Sequence, residues 1–72
     1  MNESPTIDVH LNGEERAVPG ELTVWALLEW FDLNPSLVVV ELNREILDRN
    51  RYAEIPVEAG DVLEFVHFVG GG

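Results

Sequence analysis

Ile7-Asp8-Val9-His10-Leu11-Asn12-Gly13-Glu14 is the stretch whose reading decides the fold. Ile7, Val9 and Leu11 alternate with Asp8 and His10, so an extended chain puts the apolar residues on one side. Asn12-Gly13 then supplies the pair best suited to a two-residue turn with positive φ at both central positions. Glu14 to Val18 returns antiparallel, and Pro19-Gly20 closes the second strand. Thr23 is placed to cap a helix by accepting a hydrogen bond from a free amide of the first turn. Val24, Leu27, Leu28 and Phe31 follow at i, i+3, i+4 and i+7, one apolar stripe with Glu29 and Asp32 off it. The spacing predicts one principal helix over about Thr23 to Asp32, ending before Pro35.

Leu37 to Leu42 is a β-branched, nearly continuous apolar run, suited to a strand covered on at least one face. Asn43-Arg44 turns into a short extended piece, Glu45-Ile46-Leu47. From Asp48 to Pro56 the pattern is irregular, with Tyr52 and Ile55 as apolar anchors around a single helical turn. Gly60-Asp61 makes another turn, and Val62 to Val69 reads as the last strand. The order is β, β, α, β, short β, β. With the final strand returning beside the first, this predicts an α+β fold: a mixed sheet of four to five strands with one helix on one face. That is the β-grasp arrangement of ubiquitin-like domains. The expected organisation is a single β-grasp domain over residues 1–69 and a flexible glycine tail over 70–72.

Composition excludes several functions. The chain has 72 residues; one of this length buries roughly 60% of its unfolded surface, which leaves no room for an enclosed active site with its own lid. It has no cysteine, and so neither a thiolate nucleophile nor a Cys-ligated metal. The formal net charge is -10, from 14 acidic residues against Arg16, Arg44, Arg49 and Arg51. Nucleic acid and anionic membranes are therefore poor partners, whereas a basic protein surface is a good one with a salt-sensitive on-rate; charge dispersed along a small domain also reads as plain solubility. No apolar run reaches the ~20 residues that span a bilayer, and Met1-Asn2-Glu3-Ser4-Pro5 lacks the basic start of a secretory signal. The expectation is a soluble, cytoplasmic protein. Lysine is absent, so polymer formation through side-chain amines is chemically excluded.

Other constellations are weak. Pairing of the first and last strands would bring His10 and His67 together, but two histidines without a third ligand read as surface or edge residues rather than a metal site. Glu41, Glu45 and Asp48 read as a solvated acidic face rather than paired hydrolytic carboxylates. Trp25 and Trp30 do not both lie on the helix stripe, which predicts one of them half-exposed and packed against a loop. The ending Phe68-Val69-Gly70-Gly71-Gly72 is different in kind, because stability does not call for three consecutive glycines. Without Cβ atoms they form a thin, mobile thread that a narrow channel on another protein admits. The reactive group expected here is the carboxylate of Gly72, the alternative being a frayed end or a Gly-rich linker.

Taken together, the chain resembles the ThiS family of bacterial thiamine sulfur carriers from Ile7 to Gly72. The pieces that carry the resemblance are Leu11-Asn12-Gly13-Glu14, Thr23-Val24 through Leu27-Leu28, Val40-Glu41-Leu42-Asn43, Gly60-Asp61 and Val69-Gly70-Gly71-Gly72. The resemblance implies a carrier rather than an enzyme, with no bound cofactor. An adenylating enzyme of the ThiF type would use ATP and magnesium to convert the Gly72 carboxylate to an acyl-adenylate. A cysteine desulfurase or other persulfide donor would then supply sulfur, leaving a thiocarboxylate that a ThiG-like thiazole synthase accepts. In this reading Gly70 and Gly71 thread the partner's channel, and Phe68 and Val69 are candidates for a partner-facing patch. Phe68 has an alternative reading as ordinary sheet core. The MoaD family, the small subunit of molybdopterin synthase, shares the fold and a Gly-Gly end. Many MoaD sequences lead into the tail with Phe-Pro-Pro-Val, whereas here Phe65-Val66-His67-Phe68-Val69 contains no proline. Carriers for tRNA thiolation or for amino-acid biosynthesis use the same tail. A ubiquitin-like docking module that never uses its terminus chemically is the competing class.

Overall fold

The computed structural model describes residues 5–68; residues 1–4 and 69–72 lie outside the described residues. Strand β1 (Thr6–Leu11) and strand β2 (Glu14–Pro19) pair antiparallel, from Thr6 opposite Pro19 to Leu11 opposite Glu14. The turn between them has φ of 51° at Asn12 and 84° at Gly13, the double positive φ that the pair predicts. At the far end of β2, Gly20 is required by close approach. Its N–H donates to the Pro5 carbonyl at 2.8 Å, and a Cβ there would sit 2.8 Å from that same oxygen.

Helix α1 (Val24–Trp30) begins as expected, with the Thr23 side chain accepting from the Ala26 N–H at 3.1 Å. Val24, Leu27 and Leu28 are fully buried, and Phe31 is half-buried at the C-cap. The helix stops short of Asp32. That residue takes φ of 65°, and the Leu33 N–H turns back to the Leu28 carbonyl at 2.9 Å. A left-handed residue here closes the helix, before the proline comes into play.

Leu37 belongs to a 3-10 turn, Pro35–Leu37, capped by the Asn34 side chain. Strand β3 is therefore Val38–Leu42, followed by β4 (Glu45–Ile46), a 3-10 turn at Arg49–Arg51 and β5 (Val62–His67). The sheet order is β2-β1-β5-β3-β4, with β5 parallel to β1 and antiparallel to β3. The final strand thus returns to the centre of a mixed five-stranded sheet, the expected β-grasp arrangement. Strand β5 ends at His67, one residue before Phe68, and Val69 lies outside the described residues.

The core lies on one face. Val9, Leu11, Val18, Val38, Val40 and Leu63 point from the sheet toward α1, and Tyr52 fills the space beyond β3. Pairing with β4 covers β3 only at Glu41 and Leu42. The backbone at Val38 and Val40 would otherwise be left with polar groups buried and unpaired, at a cost of about 1–3 kcal/mol each. The Tyr52 hydroxyl meets both: it donates to the Val38 carbonyl at 2.8 Å and accepts from the Val40 N–H at 3.1 Å. Tyr52 is thus a hydrogen-bonding member of the core as well as an apolar anchor. Among the described residues no helix is long and apolar enough to cross a membrane.

Two stability predictions follow from this packing. Tyr52→Phe keeps the ring but strands both backbone groups, and urea unfolding should show a loss of about 2–6 kcal/mol. Arg44 sits at φ of 75° in the β3–β4 turn, where a side chain is strained. Arg44→Gly should raise stability, by up to about 1 kcal/mol in the same assay.

Candidate functional site

The site is built around the C-terminal half of β5. Leu11 opposite Leu63 is the last β1–β5 ladder pair, because β1 then turns away at Asn12. Asn12 carries the contact further: its N–H donates to the Leu63 carbonyl at 2.9 Å and its side-chain oxygen accepts from the Phe65 N–H at 2.8 Å. A side chain thereby stands in for the strand residue that the turn has removed. Asn43 does similar work at the other end. Its side chain accepts from the Val62 N–H at 2.9 Å and donates to Asp61 Oδ1 at 3.1 Å.

Along β5, Leu63 is buried and Phe65 is half-buried on the helix side, where Phe65 meets the Phe31 ring edge-on at 6.2 Å. Val62, Glu64 and Val66 alternate to the opposite, outer face. The Phe68 N–H donates to the Leu37 carbonyl at 2.9 Å, which continues the β3–β5 pairing one step beyond the strand. Leu37 and Phe68 therefore end a strip whose next pair is Val39 opposite Val66 and whose third is Glu41 opposite Glu64. Phe68 is 54% exposed, Val66 53% and Leu37 40%, so Phe68 is not sheet core. This surface leads directly to residue 69.

The remaining sequence candidates fall elsewhere. His10 lies opposite Val62 and His67 opposite Val38, five residues farther along β5. Pairing of the first and last strands does not bring the histidines together, because the parallel register separates them by about 17 Å. Among the described residues no group of three metal-ligating side chains forms. Glu41 faces Ile46 across β4, Glu45 is exposed, and the exposed Asp48 caps a 3-10 turn by accepting from the Asn50 N–H at 3.1 Å. They form no catalytic carboxylate pair. Both tryptophans are exposed, Trp25 by 37% and Trp30 by 51%, so the expectation of one is corrected to two. Trp30 packs edge-on against Phe31 at 4.9 Å, and the Arg16 guanidinium lies 5.3 Å from the centre of the Phe31 ring. The Asn12 side-chain bridge to β5 and the outer-face pairing of Glu41 with Glu64 were missed by sequence reasoning. The alternation of β3 and β5 contains the second, but only the register reveals it. Val69, Gly70, Gly71 and Gly72, the tail singled out by the sequence, lie outside the described residues.

A family model described as the ThiS family matches residues 9–72. The chain belongs to the ThiS family. A sulfur carrier protein ThiS of Bacillus subtilis is 46% identical over 50 residues, covering 69% of this chain and 76% of the relative. The crystal structure of a thiamine biosynthesis protein (ThiS) from Geobacter metallireducens superposes with a TM-score of 0.78 at 35% identity, over 92% of this chain and 100% of that one. A thiazole synthase of Paramagnetospirillum magneticum is 45% identical over 62 residues. There the ThiS-family chain covers 86% of its own length but spans only 19% of the relative's.

The Asn12 bridge makes its own prediction. Asn12→Gly keeps the positive φ and removes only the carboxamide, so the Phe65 amide should exchange faster with deuterium and stability should fall by about 0.5–1.5 kcal/mol. An unchanged Phe65 exchange rate would show that the ladder holds without it.

Proposed function

We propose that this chain is a sulfur carrier for thiamine thiazole formation, a protein co-substrate whose Gly72 carboxylate is the reactive group. The observation that carries the reading is the family match, which runs through the glycines to residue 72. The central position of β5 supports it, since the strand that leads to the tail is held by neighbours on both sides.

The chemistry follows from the weakness of a carboxylate as an electrophile. A Gly72 oxygen attacks the α-phosphorus of ATP on a ThiF-type adenylating enzyme, with magnesium on the phosphates, and pyrophosphate leaves. The terminal sulfur of a persulfide, supplied through a cysteine desulfurase, then displaces AMP from the acyl carbon. A dithiol reductant cleaves the resulting S–S bond, so that the carrier keeps one sulfur as a thiocarboxylate and the donor cysteine is released as a thiol. A thiazole synthase takes that sulfur. The thiazole synthases that contain a region similar to this chain support such a partner. Gly71 and Gly70 allow close backbone approach in a channel, and Phe68 and Val69 lead from the sheet into it.

Incubation with the adenylating enzyme, ATP-magnesium, a persulfide donor and reductant should raise the intact mass by the difference between one sulfur and one oxygen, localised to the C-terminal peptide. Deleting Gly72 should abolish the gain at nearly unchanged folding stability. Gly71→Val should impair it severely, because a β-branched residue stiffens and widens the thread. Full modification after both changes would return the protein to the class of docking modules.

A further inference from the structure

Glu41 and Glu64 are directly opposite one another on the outer face of the sheet. The backbone bonds from the Asn43 N–H to Val62, two residues away on one side, and from the Phe68 N–H to Leu37, four residues away on the other, bracket them at even spacing. That phase makes Glu41–Glu64 a hydrogen-bonded pair, with Cα atoms about 5.5 Å apart. Like charges so placed destabilise a sheet. Among the described residues the one ion pair within 4 Å is Arg51 with Glu54, so neither carboxylate has a cation of its own. Around them lie Val39 and Val66 on one side, Ile46 across from Glu41, and Val62 on the other side with Asn43 and His10 as its polar neighbours. Ile46 is 71% exposed and Val62 44%, which makes this an open, mainly apolar surface with two like charges at its centre.

A free protein gains nothing from that arrangement, and local rules broken without compensation mark surfaces selected for something else. We propose that the Glu41–Glu64 pair seats an arginine of the adenylating partner, with Val39, Ile46, Val62 and Val66 sealing it from water. This deepens the carrier reading and rests on it. The occupant is set by charge complementarity. A guanidinium presents donors in a planar fork that spans two neighbouring carboxylates, which a single ammonium does less well. A second copy of the chain is the wrong occupant, because a two-fold contact through this face would bring four carboxylates together, and each copy carries a net charge of -10. The same strip continues through Val66 to Phe68, so a partner docked here holds the start of the tail as well.

The test is steady-state pyrophosphate release by the adenylating enzyme as carrier concentration is varied. The double variant E41Q/E64Q should raise the KM for carrier about tenfold with the loss falling in KM rather than kcat. Its thermal midpoint as free protein should rise, since the repulsion is gone. The control E14Q/E58Q removes the same net charge from exposed positions outside the strip and should move KM by less than about twofold. An unmoved KM for E41Q/E64Q, or an equal shift in the control, overturns the seat while leaving the carrier reading intact. A wild-type chain that supports no pyrophosphate release overturns both. A wild-type dimer in sedimentation that E41Q/E64Q tightens would give the face to a second copy and overturn the proposal.

Discussion

Everything in this structure depends on the parallel pairing of the last strand with the first. Two ladder pairs, His10–Val62 and Leu11–Leu63, join the chain's ends across the middle of the sheet. Parallel neighbours cannot be joined by a tight turn, so all of α1, β3, β4 and the 3-10 turns must fit within the connection between β2 and β5. The short ladder is extended at both ends by other means. Upstream, the Gly60 N–H donates to the Asp8 carbonyl and the His10 N–H to the Asp61 carbonyl; downstream, Asn12 takes over where β1 has already turned. Loss of this seam would separate the β1–β2 hairpin from β3–β5 and open the core between them.

The central position of β5 also divides the labour between the two sheet faces. The helix side is packed by Val24, Leu27, Leu28 and Tyr52, and no buried polar side-chain atom among the described residues is left without a partner. Stability is concentrated there. Among the described residues the outer face has no second layer over it. Valines, an isoleucine and a phenylalanine stand exposed there in a strongly acidic chain. Two environments thus share one strand: alternate residues of β5 pack the core and stand exposed on the outer face.

Some of this was legible before any coordinates. The β1–β2 hairpin was, because Asn-Gly is a local requirement of backbone geometry, and so was the Thr23 cap, because the free amides of a first turn need a nearby acceptor. Helix length was less so. Asp32 takes a left-handed conformation that an aspartate permits but does not announce, so the helix closes earlier than Pro35 suggests. Tyr52 read as an apolar anchor, since nothing local reveals that two backbone groups of β3 would need its hydroxyl. The tryptophan expectation failed because α1 is covered by the sheet on one side only, leaving both Trp25 and Trp30 at the surface.

By itself, then, the sequence determined what depends on near neighbours: the periods of two and 3.6 residues, the turn pairs, the cap, the acidic balance and the glycine run at residues 70–72. These are set by interactions spanning a few residues, whose energies do not wait on the rest of the fold. Register was decided only by the tertiary structure. It separated His10 from His67, set Glu41 opposite Glu64, put Leu37 beside Phe68 and aimed the Tyr52 hydroxyl at the edge of β3. A slip of one residue between strands would exchange the faces without altering any local pattern. Only the packed core, which must keep Val38, Val40 and Leu63 on the helix side together, forbids that slip.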